Sequence, residues 1–268
     1  MKLEGRVAIV TGGGQGIGRG IVQCLAEEGA DVAILTKSGS SGEKAAEEIK
    51  GSGVRASSIK ADVTNENDVK RAAQETLATF GKIDILVNSV GGGSVNIARF
   101  LDLKGPEWDE TFALNVKSAV HTCRAVVPHF LKQGSGRIVN LSSIGGKKAS
   151  AMNAPYGSSK AAVIYFTKAL AVELGPVHIN VNCICPGGVY TPTFAKLIDE
   201  HMIRPDAKEK GMTAKDFFDR FIAGGSPFKR GITPEDIGLA TVFLVSDDAK
   251  HITGQTLNIT AGTAIDAE

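Results

Sequence analysis

The sequence is short of several things, and each shortage excludes something. Thirty Lys and Arg residues stand against 29 Asp and Glu, a net charge of +1. There is no basic excess to hold a phosphate backbone, so no nucleic-acid partner is expected. Four cysteines in 268 residues, Cys24, Cys123, Cys183 and Cys185, are too few for a disulfide scaffold and read as buried thiols of a reducing compartment. The histidines are scattered without ligand spacing and Cys183-x-Cys185 sits in an alternating apolar stretch, so no metal site is expected. No apolar run approaches the 18 or so residues that cross a bilayer, and Val7 to Val10 is too brief for a signal peptide. A cytoplasmic protein without membrane contact is the expectation. Linkers, repeats and low-complexity tracts are also missing, so residues 1–268 are expected to form a single domain. What is abundant is glycine: 32 residues, above the roughly 7% of average usage and without a collagen period. Glycines in that number serve turns and close backbone approaches.

Short apolar runs alternate with longer helical patterns from end to end. Val7–Val10, Val32–Leu35, Ile83–Val87, Ile138–Leu141 and Ile179–Ile184 predict buried strands, with Val54–Ile59 and Thr256–Ile259 as weaker ones. Helices are predicted near 17–28, 43–50, 66–80, 107–130, 154–174 and 234–246. This alternation predicts an α/β fold: a Rossmann-like, doubly wound parallel sheet of about seven strands with helices on both faces. Residues 190–233 break the rhythm, with five phenylalanines among charged residues and interruptions at Pro192, Pro205 and Gly211. They read either as two surface helices whose aromatics join the core or as a mobile cover over a site.

The first glycine cluster, Thr11-Gly12-Gly13-Gly14-Gln15-Gly16-Ile17-Gly18, lies between the first strand and the first helix. Glycines there let the backbone approach a pyrophosphate, whose charge meets the free N–H groups and dipole of the helix N-terminus. A nucleotide site is expected, with an S-adenosylmethionine-dependent methyltransferase as a rival reading. At the end of the second strand, an acid that would bind a ribose 2′-hydroxyl is missing. Thr36-Lys37-Ser38-Gly39-Ser40-Ser41 offers a cation and hydroxyls, which suit a 2′-phosphate and favour NADP(H), with NAD(H) as the alternative. Asp62-Val63 ends the third strand. There Asp62 could accept from an adenine amino group or cap the helix starting near Asn65.

Tyr156-Gly157-Ser158-Ser159-Lys160 opens a helical segment, and four-residue spacing puts the Tyr and Lys side chains a turn apart on one face. An adjacent ammonium favours the phenolate and would lower the tyrosine pKa from near 10, making Tyr156 a general acid/base. Ser143, thirteen residues earlier at a strand's carboxyl end, can meet the tyrosine hydroxyl over a substrate. Asn115 is an amide within an amphipathic helix.

With these motifs in order, the chain resembles the short-chain dehydrogenase/reductase family over essentially its whole length. The resemblance implies the TGxxxGxG cofactor turn at Thr11–Gly18 and the adenine-side acid at Asp62. It implies a catalytic set of Asn115, Ser143, Tyr156 and Lys160, and a nicotinamide loop at Pro186-Gly187 with Val189 and Thr191. Tyr156 would then move a proton to or from the substrate oxygen, and Lys160 would lower its pKa and bind the nicotinamide ribose. Ser143 would hold the oxygen and Asn115 a relay water. Val189 would contact the carboxamide and Thr191 the pyrophosphate. The family's NNAG segment appears as Asn88-Ser89-Val90-Gly91, which keeps Asn88, and Gln15 stands where NADP-preferring relatives often carry a basic residue. A homotetramer is also implied, through long helices and the C-terminal strand. Residues such as Ala161, Ala162, Val163, Phe166 and Ala169 agree with an interface or with a core.

Substrate identity is less legible. Walls are expected from the loops after Gly91 and Ser143 and from residues 190–233. Met152, Asn153, Tyr190 and the phenylalanines predict a partly apolar pocket, and Lys147 and Lys148 could hold an anionic group or simply be solvated. The expected reaction interconverts a secondary alcohol and a ketone. A sugar or polyol, or a 3-oxoacyl thioester, are alternative substrates, and a non-catalytic nucleotide-binding regulator is the alternative function.

Overall fold

The apolar runs become strands buried along most of their length. A computed structural model describes residues 1–92 and 98–265. Its strands are β1 (Val7–Thr11), β2 (Asp31–Thr36), β3 (Ala56–Lys60), β4 (Ile85–Asn88), β5 (Gly136–Leu141), β6 (Ile179–Pro186) and β7 (Thr256–Ile259). All pair in parallel, in the order β3-β2-β1-β4-β5-β6-β7. The inner strands β1, β4, β5 and β6 are buried throughout, as expected where helices cover both faces, whereas the edge strands β3 and β7 are only half-buried. That difference is why the two edges gave the weaker sequence signals.

The helices are α1 (Gly16–Glu27), α2 (Gly39–Ile49), α3 (Glu66–Phe80), α4 (Gly105–Phe112), α5 (Ser118–Gln133), α6 (Ala154–Leu174), α7 (Pro192–Leu197), α8 (Pro205–Glu209), α9 (Ala214–Phe217) and α10 (Pro234–Val245). One core lies under α1, α2 and α10, with Ile21, Leu25, Ile34, Ile49 and Ile237 fully buried. The other lies under α3, α5 and α6 and holds Ile9, Leu86, Phe130, Ile138 and Leu174. Each such side chain contributes about 1.5–3 kcal/mol by leaving water. Helices α1 and α10 touch through glycines. A side chain on Gly238 would stand 2.5 Å from the Cys24 sulfur and 2.7 Å from the Gly20 carbonyl oxygen.

Two sequence expectations need correction. The predicted helix at 107–130 is broken by a π-helical turn, Ala113–Lys117, between α4 and α5, and Asn115 lies in it. The stretch 190–233 is not two surface helices. It contains α7, α8 and α9 with π-helical turns at Ile198–Met202 and Phe218–Ala223. Pro192 and Pro205 open helices rather than interrupt them, because a first-turn N–H has no intrahelical partner to lose. Its aromatics do not join the sheet's cores. Phe218 is buried with Ile198, Ile203 and Ala223 in a separate cluster, which Tyr190, Phe194 and Phe217 enclose.

The strand order turns back between β1 and β4, and this opens a crevice at the carboxyl ends of the strands. No helix among the described residues is long and apolar enough to cross a membrane.

Candidate active site

The glycine turn sits at that crevice. Gly12 and Gly16 have φ of 68° and 54°, a left-handed backbone that glycine adopts without cost. Gly18 is glycine for a different reason: a side chain there would fall on the carbonyl oxygen of Gly12 and on the Ser89 hydroxyl. Ser89, the departure from the family's NNAG segment, donates to the Thr11 carbonyl, while the Thr11 hydroxyl accepts from the Ser89 and Val90 N–H groups at 3.0 and 3.3 Å. The substituted position therefore ties the loop after β4 to the end of β1.

Two adjoining cavities share Gly12, Gln15 and Val90 in their walls. The smaller, about 360 Å³, runs along the ends of β2 and β3 past Thr36, Lys37, Ser38, Ser41, Asp62 and Val63. Lys37 does not stand free in it. Its ammonium lies 2.7 Å from the Asp62 carboxylate, which also accepts from the N–H and hydroxyl of Thr64 at 3.0 and 2.7 Å. The Lys37 hydrogen bond, aided by Thr64, holds the Asp62 carboxyl down to about 2. Lys37 and Asp62, from the ends of different strands, thus form one ion pair. Asp62 is not a helix cap, because Asn65 caps α3, accepting from Asn67 and Asp68.

The larger cavity, about 570 Å³, continues past Gly16, Ile17 and Gly18 to Ser143, Tyr156, Pro186, Gly187, Val189 and Thr191. Thr191 lies against Gly16 and caps α7, accepting from the Phe194 N–H at 3.2 Å. Ser143 leaves β5 at its carboxyl end and accepts from the Gly145 N–H at 3.1 Å. A side chain on Gly145 would stand 3.4 Å from the Tyr156 ring and 3.5 Å from the Ser143 hydroxyl, so the loop presses both together. Desolvation pushes the Tyr156 phenol above the ordinary tyrosine value, and hydrogen bonding from Ser143 pulls less strongly the other way.

Lys160 lies one turn along α6 from Tyr156. Its ammonium is buried 5.8 Å from the centre of the Tyr156 ring and donates to the Leu141 carbonyl at 3.0 Å. Burial depresses it to about 8. Neither it nor Asn115 lines the cavity. Both lie behind Gly91, where a side chain would stand 2.5 Å from the ammonium and 2.8 Å from the Asn115 amide oxygen.

The buried Asn115 exchanges hydrogen bonds with the Gly92 backbone, accepting at 2.9 Å and donating at 2.8 Å, and donates to the Ser159 hydroxyl at 2.9 Å. Its amide therefore orders the loop after β4 against α6. Ser159, which sequence reasoning missed, donates to the Tyr156 carbonyl at 2.8 Å. Ser142, also missed, donates to the Lys160 carbonyl at 2.7 Å.

Asn88, expected at the cofactor, does not line either cavity. It is buried and donates to Asn140 at 2.8 Å while accepting from Thr122 at 2.6 Å, and Asn140 donates to Thr167 at 2.9 Å. The four side chains tie β4 and β5 to α5 and α6. Nor do Lys147 and Lys148 line either cavity, and Tyr190 packs on Phe218 rather than into the cleft. Of the phenylalanines only Phe194 forms part of its wall, beside Leu197. Gly93, expected to border a substrate, lies outside the described residues.

Residues 6–201 match the sequence model of the family described as short chain dehydrogenase. The chain belongs to that family. It is an oxidoreductase, and the methyltransferase reading falls. The chain is 36% identical over 265 residues to oxidoreductase UcpA of Salmonella typhimurium, covering 98% of this chain and 96% of that one. It is 36% identical over 263 residues to the 3-oxoacyl-[acyl-carrier-protein] reductase FabG of Staphylococcus aureus, covering 98% and 99%. Among solved structures, L-sorbose reductase from Gluconobacter frateurii, complexed with NADPH and L-sorbose, superposes with a TM-score of 0.90 at 30% identity over 99% of both chains. A 7α-hydroxysteroid dehydrogenase complexed with NADH and 7-oxo glycochenodeoxycholic acid gives 0.87 at 30% identity, covering 100% and 97%.

Proposed function

We propose that the protein interconverts a secondary alcohol and a ketone with a nicotinamide dinucleotide, using Tyr156 as general acid/base. The observation that carries this reading is the continuity of the groove: the glycine turn, the Lys37–Asp62 end and the Ser143–Tyr156 pair face connected cavities. The groove fits the cofactor by its own shape, since Gly12 and Gly16 hold backbone conformations, and Gly18 a close approach, that a side chain would spoil. Bound there, the nicotinamide would supply the hydride chemistry.

The chain's own residues do the rest. Gly12, Gln15, Gly16, Ile17 and Gly18 bring backbone and the α1 N-terminus to the pyrophosphate, with Thr191 from the far side. Thr36, Lys37, Asp62 and Val63 surround the adenosine. Pro186, Gly187 and Val189 back the nicotinamide. Ser143 orients the substrate oxygen and Tyr156 exchanges a proton with it. Lys160 would bind the nicotinamide ribose on leaving the Leu141 carbonyl, and burial, which depresses its pKa to about 8, suits it to passing protons. Asn115 keeps the loop beside it in place.

NADP(H) is favoured because the β2 end offers Lys37 and hydroxyls and no acid at that strand's end, with NAD(H) as the alternative. NADPH and NADH both occur in the structurally similar enzymes. The substrate could be a plain ketone, a sugar or polyol like the sorbose of one neighbour, or a 3-oxoacyl thioester like that of the FabG relatives. Residues 1–268 work as one domain, with 190–233 covering the cleft. A cytoplasmic homotetramer completes the reading, supported by the exposed apolar Tyr165 and Val172 on α6 and Leu239 and Phe243 on α10.

The test is Tyr156→Phe, assayed by nicotinamide absorbance on a panel of ketones, sugars and acyl thioesters. Turnover is expected to fall by about 10²–10⁴-fold while cofactor affinity stays nearly unchanged. Retained turnover overturns the mechanism.

A further inference from the structure

Asn153 stands out in the wall of the larger cavity. It is the residue before α6, where a capping side chain normally accepts from a first-turn N–H on an extended backbone. Here φ is 113° and ψ 47°, and the side chain makes no cap. The other non-glycine residues with positive φ lie between 48° and 60°, near the common left-handed basin, so Asn153 is the most displaced among the described residues. Strained backbone of this kind persists only where the surrounding structure or a function holds it.

Its amide oxygen is buried and has no hydrogen-bond partner. Among the described residues it is the one member of the cavity wall with such an atom. Its neighbours are committed: Ser142 to the Lys160 carbonyl, Ser143 to the Gly145 N–H, Thr191 to the Phe194 N–H. A buried amide oxygen without a partner is unfavourable, and turning it into the cleft breaks no hydrogen bond within the protein. The cap position and Tyr156 are three residues apart in the chain, and both line the larger cavity.

We propose that Asn153 recognises a hydroxyl on the carbon next to the reacting one, so that the preferred substrates are vicinal hydroxyketones and the corresponding diols. This rests on the reading of the cleft as a carbonyl-reducing site. A ketone without the second oxygen leaves the amide unpaired, and a site built around a hydrogen bond discriminates strongly against such an analogue. Apolar Ile144, Phe194 and Leu197 line the same cleft and would hold the carbon skeleton.

The experiment compares kcat/KM for 2-hydroxycyclohexanone and cyclohexanone in the wild type and in Asn153→Gly, with NADPH and NADH. Glycine adopts this backbone without strain, so the variant is expected to melt at or above the wild-type temperature. The wild type should favour the hydroxyketone by about tenfold or more, and the variant should bring the ratio close to one. An equal ratio in the wild type, or a preference that survives in the variant, overturns the proposal. In parallel, calorimetry measures 1,2-cyclohexanediol and cyclohexanol binding to both proteins with cofactor present. If neither ketone turns over although another member of the panel of ketones, sugars and acyl thioesters does, the proposal is overturned; if no member of that panel turns over, the carbonyl-reducing reading of the cleft fails. A diol preference lost in the variant would then support Asn153 as the hydroxyl-binding group, and its absence or survival would sink that too.

Discussion

Ser143, Tyr156 and Lys160 hang from β5 and the 21-residue α6, and hydrogen bonds from Ser142, Asn115 and Ser159 brace that framework from behind. Residues 190–223 on the other side of the cleft have no strand among them. They are short helices joined by π-helical turns, held by a cluster of their own around Phe218. The shelf can therefore keep a reacting geometry while the opposite wall shifts, because the two share neither a core nor a hydrogen-bonded network. The division suits chemistry on one side and substrate choice on the other.

That comparison can be broken most sharply at Lys160. Lys160→Ala is expected to cut kcat by about 10²–10⁴-fold with a much smaller change in KM, measured by steady-state kinetics. An effect confined to KM would place Lys160 outside the chemistry. Phe218→Ala removes the centre of the opposite wall, a loss of roughly 3–5 kcal/mol for a buried phenylalanine. If that wall is built separately, proteolysis within 190–223 should accelerate and KM should rise, while calorimetry finds the main melting transition little moved. A single cooperative transition lowered by the full amount would join the two regions into one unit.

Lys37→Glu tests the adenosine end. It should shift the kcat/KM ratio toward NADH by about tenfold, from loss of one charge-assisted contact and gain of a repulsive one. Comparable use of both cofactors by the wild type would overturn the role given to Lys37. The smallest expected effect is with pH. Asp62 is held down to about 2 mainly by Lys37, and Lys37 is raised by the same contact. A lowered acid keeps its charge until pH falls through that value, and a raised base keeps its charge past the usual lysine range. The ion pair should persist from about pH 5 to 9, and the ratio of NADPH to NADH affinity, followed by fluorescence titration, should be flat above about pH 7, where the cofactor's own 2′-phosphate, with a second pKa of about 6, is fully ionised. A step between about pH 7 and 9 would mean that another group of the protein governs discrimination.

The sheet was largely legible because each inner strand is a short apolar run and each covering helix a periodic one. Ser143, Tyr156 and Lys160 were legible because strand end, helix start and a four-residue interval are local features. The contacts of Asn88 and Asn115 were not legible because they depend on neighbours distant in the chain, Asn140 and Thr122 for one, Gly92 and Ser159 for the other. The Lys37–Asp62 pair joins the ends of two adjacent strands 25 positions apart, and nothing in either local pattern announces it. The aromatics of 190–233 misled for the reverse reason. Their composition was informative, but a separate cluster and a shared core have the same composition.

The glycine contact between α1 and α10 has a consequence for how such an enzyme can change. Helix α1 presents its N-terminus to the groove, and α10, more than two hundred residues later in the chain, fixes how close α1 can lie through Gly20 and Gly238. The two ends of the sequence thus form a clasp behind the sheet, and everything that differs with substrate is strung between them. Insertions or exchanges between Thr191 and α10 can alter what is taken up without loosening the grip on the nucleotide. Conversely, a single added methyl group at Gly238, remote from any ligand, would push α1 outward and retune that grip from behind.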